Sequence, residues 1–176
     1  MSSESVKILV TGLPRCGKTT AITRIAAGLA SENMVGFYTQ EIRAGGKRKG
    51  FRWQRLDGAA GTLAHVDIKS RFKVGRYGVD VASFENEVVP ILDVSRSDAE
   101  LFILDEIGKM ECFSGKFVAA VRELFASDKS VLATVAHSDP ISEIKGYPGT
   151  ELITLTRHNR DEIVSEIIRR LSPLGE

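Results

Sequence analysis

The stretch VKILVTGLPRCGKTT, residues 6–20, starts as a short apolar run, crosses a glycine-bounded loop and enters a segment with helical spacing. Its centre, residues 12–19, reads G-x-x-x-x-G-K-T: Gly12, Leu13, Pro14, Arg15, Cys16, Gly17, Lys18 and Thr19. Glycine tolerates backbone angles that other residues resist, so successive amides in such a loop can point inward. Inward amides at a helix N-terminus bind phosphate. The lysine of this pattern reaches the terminal phosphates and the hydroxyl residue ligates Mg²⁺. Lys18 and Thr19 are therefore the candidate phosphate and metal residues, with Thr20 beside them in the first helical turn. Cys16 sits where a thiol could gain a low pKa, but no histidine is placed to activate it, so it reads as a spacer.

Working outward, strands and helices alternate. The loop is followed by Ile22, Ile25, Ala26 and Leu29 at helical spacing over residues 18–31. MVGFYTQE (34–41), LFILDE (101–106), SVLATVA (130–136) and ELITLT (151–156) read as four more strands. Two of them are apolar throughout, the kind buried on both faces of a parallel sheet. Ser114 is a candidate cap for a helix carrying Phe117, Val118, Val121, Leu124 and Phe125. Asn159 with Glu162 resembles a capping box ahead of Ile163, Ile167 and Leu171. Pro90 predicts a kink or break within 84–95. Strands separated by helices imply right-handed crossovers and a three-layer α/β sandwich, one domain over residues 1–176. EIRAGGKRKGFRWQRL (41–56) departs from this alternation and reads as an inserted β-hairpin turning at Gly45–Gly46, while 57–80 carries no clear pattern.

The segment DEIGKME, 105–111, puts two acids directly after an apolar run. Alone it could be a strand end turning into a solvated loop. Beside a phosphate loop, an acid ending an apolar strand is a Mg²⁺ partner, and Asp105 fits that role. Glu106 projects differently and can orient or deprotonate an attacking water. An acid pair of this kind marks phosphate-loop proteins that insert a strand between the loop strand and the acid strand. The 130–136 segment is the candidate, which gives the order 5-1-4-3-2 for the five strands. That strand ends near Thr134, His137 and Ser138, where a polar residue can sense the terminal phosphate; His137 is otherwise a loop histidine. Lys109 and Arg160 are candidate cations for transition-state charge. Lys109 could instead only balance Glu106 or Glu111, and Arg160 could be a surface residue of a first turn.

Composition narrows the classes. Net charge is +1, so nothing global points to nucleic acid or a membrane surface. No stretch approaches the ~20 apolar residues of a membrane span, and the start lacks a signal-peptide core. Cys16 and Cys112 are too few for a disulfide framework or a zinc site, so a cytoplasmic location with reduced thiols is expected, for a monomer.

Several blocks together resemble one family. GFYTQEIRAGGKRKGF, VGRYGVD with SFE, LDEIGKME with FS, and TRHNRD follow in the order of the small phosphate-loop nucleoside-triphosphatases that include cancer-related nucleoside-triphosphatase. The resemblance spans nearly the whole chain and implies a RecA-like core with Mg²⁺-dependent hydrolysis of several NTPs, ATP, GTP, CTP and UTP, to NDP and phosphate. It implies two nucleotide-binding segments: 12–19, and Ile103, Leu104, Asp105, Glu106, Ile107, Gly108, Lys109 and Met110. The family often has glycine where Arg15 stands, and glutamate where Gln40 stands. Two other readings stay open. A nucleotide or nucleoside kinase would bind its acceptor in 41–80. A nucleic-acid-binding ATPase would use the alternating basic and aromatic residues of KRKGFRWQR. The absence of an N-K-x-D guanine-reading motif favours weak base choice.

Overall fold

The computed structural model describes residues 4–29, 33–137 and 141–172. β1 (Lys7–Thr11) leads through the glycine loop into α1 (Lys18–Gly28), and β2 (Met34–Ala44) follows. After it come β3 (Lys47–Arg55), β4 (Ala60–His65), β5 (Lys73–Val74) and β6 (Tyr77–Val79). The second half holds α2 (Val81–Glu87), β7 (Leu101–Ile107), α3 (Gly115–Ala126), β8 (Ser130–Val135), β9 (Thr150–Thr154) and α4 (Arg160–Leu171). Among the described residues no helix is long and apolar enough to cross a membrane.

One sheet contains all nine strands, in the order β5-β6-β4-β3-β2-β7-β8-β1-β9. Its parallel part, β9-β1-β8-β7-β2, has the expected order 5-1-4-3-2, with β8 inserted between the loop strand and the acid strand. The sheet differs from that expectation by the four antiparallel strands beyond β2. Two residue-level readings are corrected with them. The hairpin is not confined to 41–56, because β2 itself is one of its arms and runs on to Ala44. The unassigned stretch 57–80 supplies β4, β5 and β6. The physical cause is that β2 pairs with β7 only from Met34 to Phe37. Its later residues have no parallel neighbour and take up β3, from Phe37↔Arg55 to Ala44↔Lys47. The turn is made by Gly45 and Gly46, at φ 57° and 74°, which suits a right-twisted hairpin. The sheet ends in the two-residue β5, a short edge that offers little to pair with.

Alternation along the central strands builds two cores. Ile8 and Val10 of β1 face α1 and α4, where they meet Ile22, Ile25 and Ile167. Leu9 faces the other side, with Phe84 of α2 and Phe117 and Phe125 of α3. Phe37 of β2 meets Phe84 at 5.5 Å and 77° and Phe117 at 6.1 Å and 73°. Edge-to-face pairs of this kind contribute about 0.5–1.5 kcal/mol each beyond their buried area. They fix where β2, and hence the antiparallel wing, leaves the core.

Local signals worked unevenly. Ser114 caps α3, its hydroxyl accepting from the Phe117 amide at 3.0 Å. The helix expected over 84–95 begins earlier, at Val81 with Asp80 as cap, and breaks into a 3₁₀ turn, Val89–Leu92, that holds Pro90. Asn159 does not form the expected capping box. Its side chain accepts from the Thr156 amide at 2.7 Å and donates to the Thr154 carbonyl at 3.0 Å, so it ties down the loop before α4.

Candidate active site

The glycine loop lies at the C-terminal end of β1, where the backbone must turn sharply into α1. Gly17 has φ 97° and Arg15 φ 65°, both left-handed. Glycine adopts that conformation freely, whereas a side chain adds ~1–2 kcal/mol of strain. Arg15 carries that cost here, and a glycine at position 15 would not. No side chain caps the start of α1, so its first amides remain available to an anion. Lys18 folds back over the loop, donating from Nζ to the Gly12 carbonyl at 3.1 Å and the Leu13 carbonyl at 3.5 Å. Those carbonyls are weak partners that a phosphate can replace.

β7 brings Asp105 beside the loop. The carboxylate is 1% exposed and sits between two hydroxyls. Thr19 Oγ1 donates to Oδ2 at 2.7 Å, and Thr134 Oγ1, from β8, donates to Oδ1 at 2.6 Å. Burial pushes the Asp105 pKa up, opposed by Thr134, Thr19, the Thr39 amide and the Lys18 charge. Burial also raises Glu106, helped by the Asp105 charge and opposed by Lys18. Glu106 faces an open cleft of about 520 Å³ whose other wall begins with Gly12, Gly17, Lys18 and Thr19.

A third acid, missed by the sequence reading, lies behind the pair. Glu111 opens a 3₁₀ turn after β7 and is 4% exposed. A methyl group built on Gly108 would stand 2.9 Å from Glu106 Oε1 and 2.9 Å from Glu111 Oε2, so the two carboxyls flank that glycine. Burial first, then the neighbouring Glu106, push the Glu111 pKa up to about 8.

The other candidates separate into groups. Pro14, Arg15, Thr20 and His137 line the cleft. Leu13 is 67% exposed and stands outside that lining, and Cys16 is buried beneath the loop against the α1 core. Cys16 and Cys112 form no disulfide. Ile103, Leu104 and Ile107 are core residues of β7, Gly108 is buried, and Met110 packs onto the core. Within that segment Glu106 reaches the cleft while Asp105 backs it. Lys109 is exposed and outside the cleft lining. Arg160 lies against the loop: a methyl built on Gly17 would be 2.5 Å from its Nη1. Its Nε is buried without a partner among the described residues. Thr134, read as a phosphate sensor, is spent on Asp105 instead. Ser138 lies outside the described residues.

The far wall of the cleft was not foreseen. Thr39, Gln40 and Glu41 of β2 and Arg48 and Phe51 of β3 form it. The alternating basic and aromatic run does not present two exposed rings, because Trp53 is 3% exposed and packs over Gly61. The hairpin signal was legible, but nothing in the linear pattern said that it bends over the phosphate loop.

Among proteins of known sequence and structure, the chain matches the NTPase family over residues 7–168. The nucleoside-triphosphatase THEP1 of Thermotoga petrophila is 43% identical over 165 residues, covering 93% of this chain and 91% of that protein. The cancer-related nucleoside-triphosphatase of Homo sapiens is 34% identical over 178 residues, covering 92% and 94% respectively. The crystal structure of THEP1 from the hyperthermophile Aquifex aeolicus aligns with a TM-score of 0.85 at 37% identity, over 96% of this chain and 100% of that one. A family match over nearly the full length, together with relatives and a solved structure that share both sequence and fold, establishes that the chain belongs to the NTPase family.

Proposed function

We infer that this NTPase hydrolyses several nucleoside triphosphates to nucleoside diphosphate and phosphate with weak base discrimination. The observation that carries the reading is the Thr19–Asp105 hydrogen bond of 2.7 Å, which joins the glycine loop to the acid strand beside Lys18 and Glu106. The residues suit Mg²⁺. Asp105 and Thr19 offer hard oxygen donors, and the described residues hold no cluster of three or more His, Cys, Asp or Glu that could form an all-protein cage. A site built from one carboxylate, one hydroxyl and the substrate's own phosphates is characteristic of magnesium. When bound, the ion neutralises charge on the phosphate oxygens.

The protein groups do the rest. Loop amides and the open start of α1 hold the phosphates. Lys18 exchanges the Gly12 and Leu13 carbonyls for terminal phosphate oxygens. Glu106 orients a water whose oxygen attacks the γ-phosphorus. The bridging bond to the β-phosphate breaks, and the water's proton passes to Glu106. Arg160, held over Gly17, is a cation for the phosphate side of the cleft. Every one of these contacts is to phosphate, metal or water, which is why base choice is weak. We take the working unit to be one domain and a monomer, in the cytoplasm, without a nucleic-acid partner. The burial of Trp53 supports the last point.

Phosphate release from ATP, GTP, CTP and UTP, with Mg²⁺ and with a chelator, tests the reading. Release is expected from all four, with kcat/KM within about tenfold, or ~1.4 kcal/mol, and none without metal. A hundredfold preference for one base on the order of 2.7 kcal/mol, or metal-independent turnover, would overturn it.

A further inference from the structure

The wall opposite the glycine loop is unusually well organised around one guanidinium. Arg48, at the start of β3, lines the cleft together with Glu41 and Phe51. Its Cζ stands 5.1 Å from the Phe51 ring centre and 5.5 Å from that of Tyr77. Nε donates to the Tyr77 hydroxyl at 3.0 Å, and Nη1 donates to Glu41 Oε1 at 3.0 Å. Phe51 and Tyr77 are themselves set edge to face at 5.4 Å and 75°. Arg43 takes the other oxygen of Glu41 at 2.7 Å, and Arg76 packs over Tyr77 at 5.3 Å. Two guanidinium groups, those of Arg48 and Arg43, thus share the Glu41 carboxylate, and Arg76 adds a third cation beside Tyr77. Two aromatic faces and a tyrosine hydroxyl restrict Arg48, so its charge is aimed before any ligand arrives.

Phosphoryl transfer builds charge on the equatorial oxygens of the transferred group, and an arginine across from the phosphate loop is the usual means of meeting it. Lys109 is exposed outside the cleft, and Arg160 lies on the loop side, over Gly17. Among the described residues that line the cleft, Arg48 is the cation contributed by the β2–β3 wall. We propose that Arg48 contacts the terminal phosphate from the β2–β3 wing and stabilises the charge developing on the transferred phosphoryl group. The proposal rests on the hydrolytic reading above. In the step Arg48 stays protonated and gives up no proton: Nη1 exchanges Glu41 for a phosphate oxygen while Nε keeps Tyr77. The attacking water's proton still passes to Glu106, and the leaving oxygen stays on the nucleoside diphosphate.

The experiment compares the full chain with Arg48→Ala and Arg48→Lys. It reads phosphate release, the affinity for Mg·ADP, and the affinity for Mg·ADP with fluoroaluminate as a mimic of the transferred group. Arg48→Ala is expected to lower kcat at least ~100-fold, keep Mg·ADP affinity and lose the tighter binding of the mimic. Free guanidinium ion is expected to restore part of its rate. Arg48→Lys, which keeps the charge but not the fork, falls between. If Arg48→Ala does not fold, Arg48→Lys decides by the same split between ADP and the mimic. Normal kcat, or an equal loss of ADP and mimic affinity, would overturn the proposal, the latter assigning Arg48 to the resting nucleotide. A wild-type chain that releases no phosphate would instead sink the hydrolytic reading itself, so the two failures are distinct.

Discussion

Glu111 offers a test of the site's interior that needs no substrate. Its carboxyl is 4% exposed and lies across Gly108 from Glu106. Burial and the Glu106 charge raise its pKa from 4.5 to about 8. The unfolded chain ionises this group near its ordinary value, so the fold resists ionisation that the unfolded state accepts. Its contribution to stability is therefore present below pH ~4.5 and lost as pH rises towards about 8. At about 1.36 kcal/mol per pH unit, the whole interval is worth ~5 kcal/mol. Less than ~1 kcal/mol of that is lost by pH 5, roughly 3 by pH 7, and the loss levels off above pH ~8. Glu111→Gln removes the ionisation and keeps the size. Urea unfolding of both proteins at pH 5, 7 and 9 isolates the group together with its coupling to the neighbouring acids Glu106 and Asp105, because the remaining titrations are shared. The wild type should lose roughly 4 kcal/mol relative to Glu111→Gln between pH 5 and pH 9. A gap that stays flat with pH, or moves the other way, would show that Glu111 is ionised in the fold and refute the reasoning.

The remaining expectations concern the site and one strand contact. Lys18→Ala should weaken NTP binding by at least ~1.5–3 kcal/mol, the worth of a charge-assisted contact, and abolish turnover; wild-type affinity and rate would remove the phosphate-loop assignment. Glu106→Gln should still bind Mg·NTP while turnover falls by about 10²–10⁴, whereas Asp105→Asn should also lose Mg²⁺-dependent affinity, as separate titrations of binding and phosphate release will show. Gly36→Ala should lower the urea midpoint, because the new methyl would stand 1.9 Å from the Ile103 carbonyl oxygen at a residue whose φ is 151°. We expect at least ~2 kcal/mol of lost stability there, and an unchanged midpoint would argue against the β2–β7 pairing.

How much of this was legible in the chain differs from element to element. The glycine loop could be read directly, since an inward nest of amides needs glycine and lysine at set spacing, and that chemistry is local. The order of the five parallel strands followed from Asp105–Glu106, because an acid pair at a strand end belongs with an inserted neighbour strand. The Ser114 cap was legible too, being settled within three residues. Asn159 failed by the same kind of logic: its side chain had two local partners to choose from, and the carbonyl of Thr154 and amide of Thr156 won over the helix.

What the sequence determined by itself was the phosphate-binding chemistry and the parallel core, both carried by short-range spacing and by runs of apolar residues. What only the tertiary structure decided was everything that meets across the cleft. β5 and β6 are too short to announce themselves and β4, AGTLAH, has no sustained apolar alternation; they follow from β2 outrunning β7 and needing a partner. Glu111 is indistinguishable in sequence from a surface acid until the 3₁₀ turn folds it behind Gly108. Arg48 reads as a charged turn residue until Phe51 and Tyr77 hold it at the cleft wall. Burial and facing direction are properties of pairs of residues far apart in the chain, and local pattern carries no record of which distant surface will close over a given side chain.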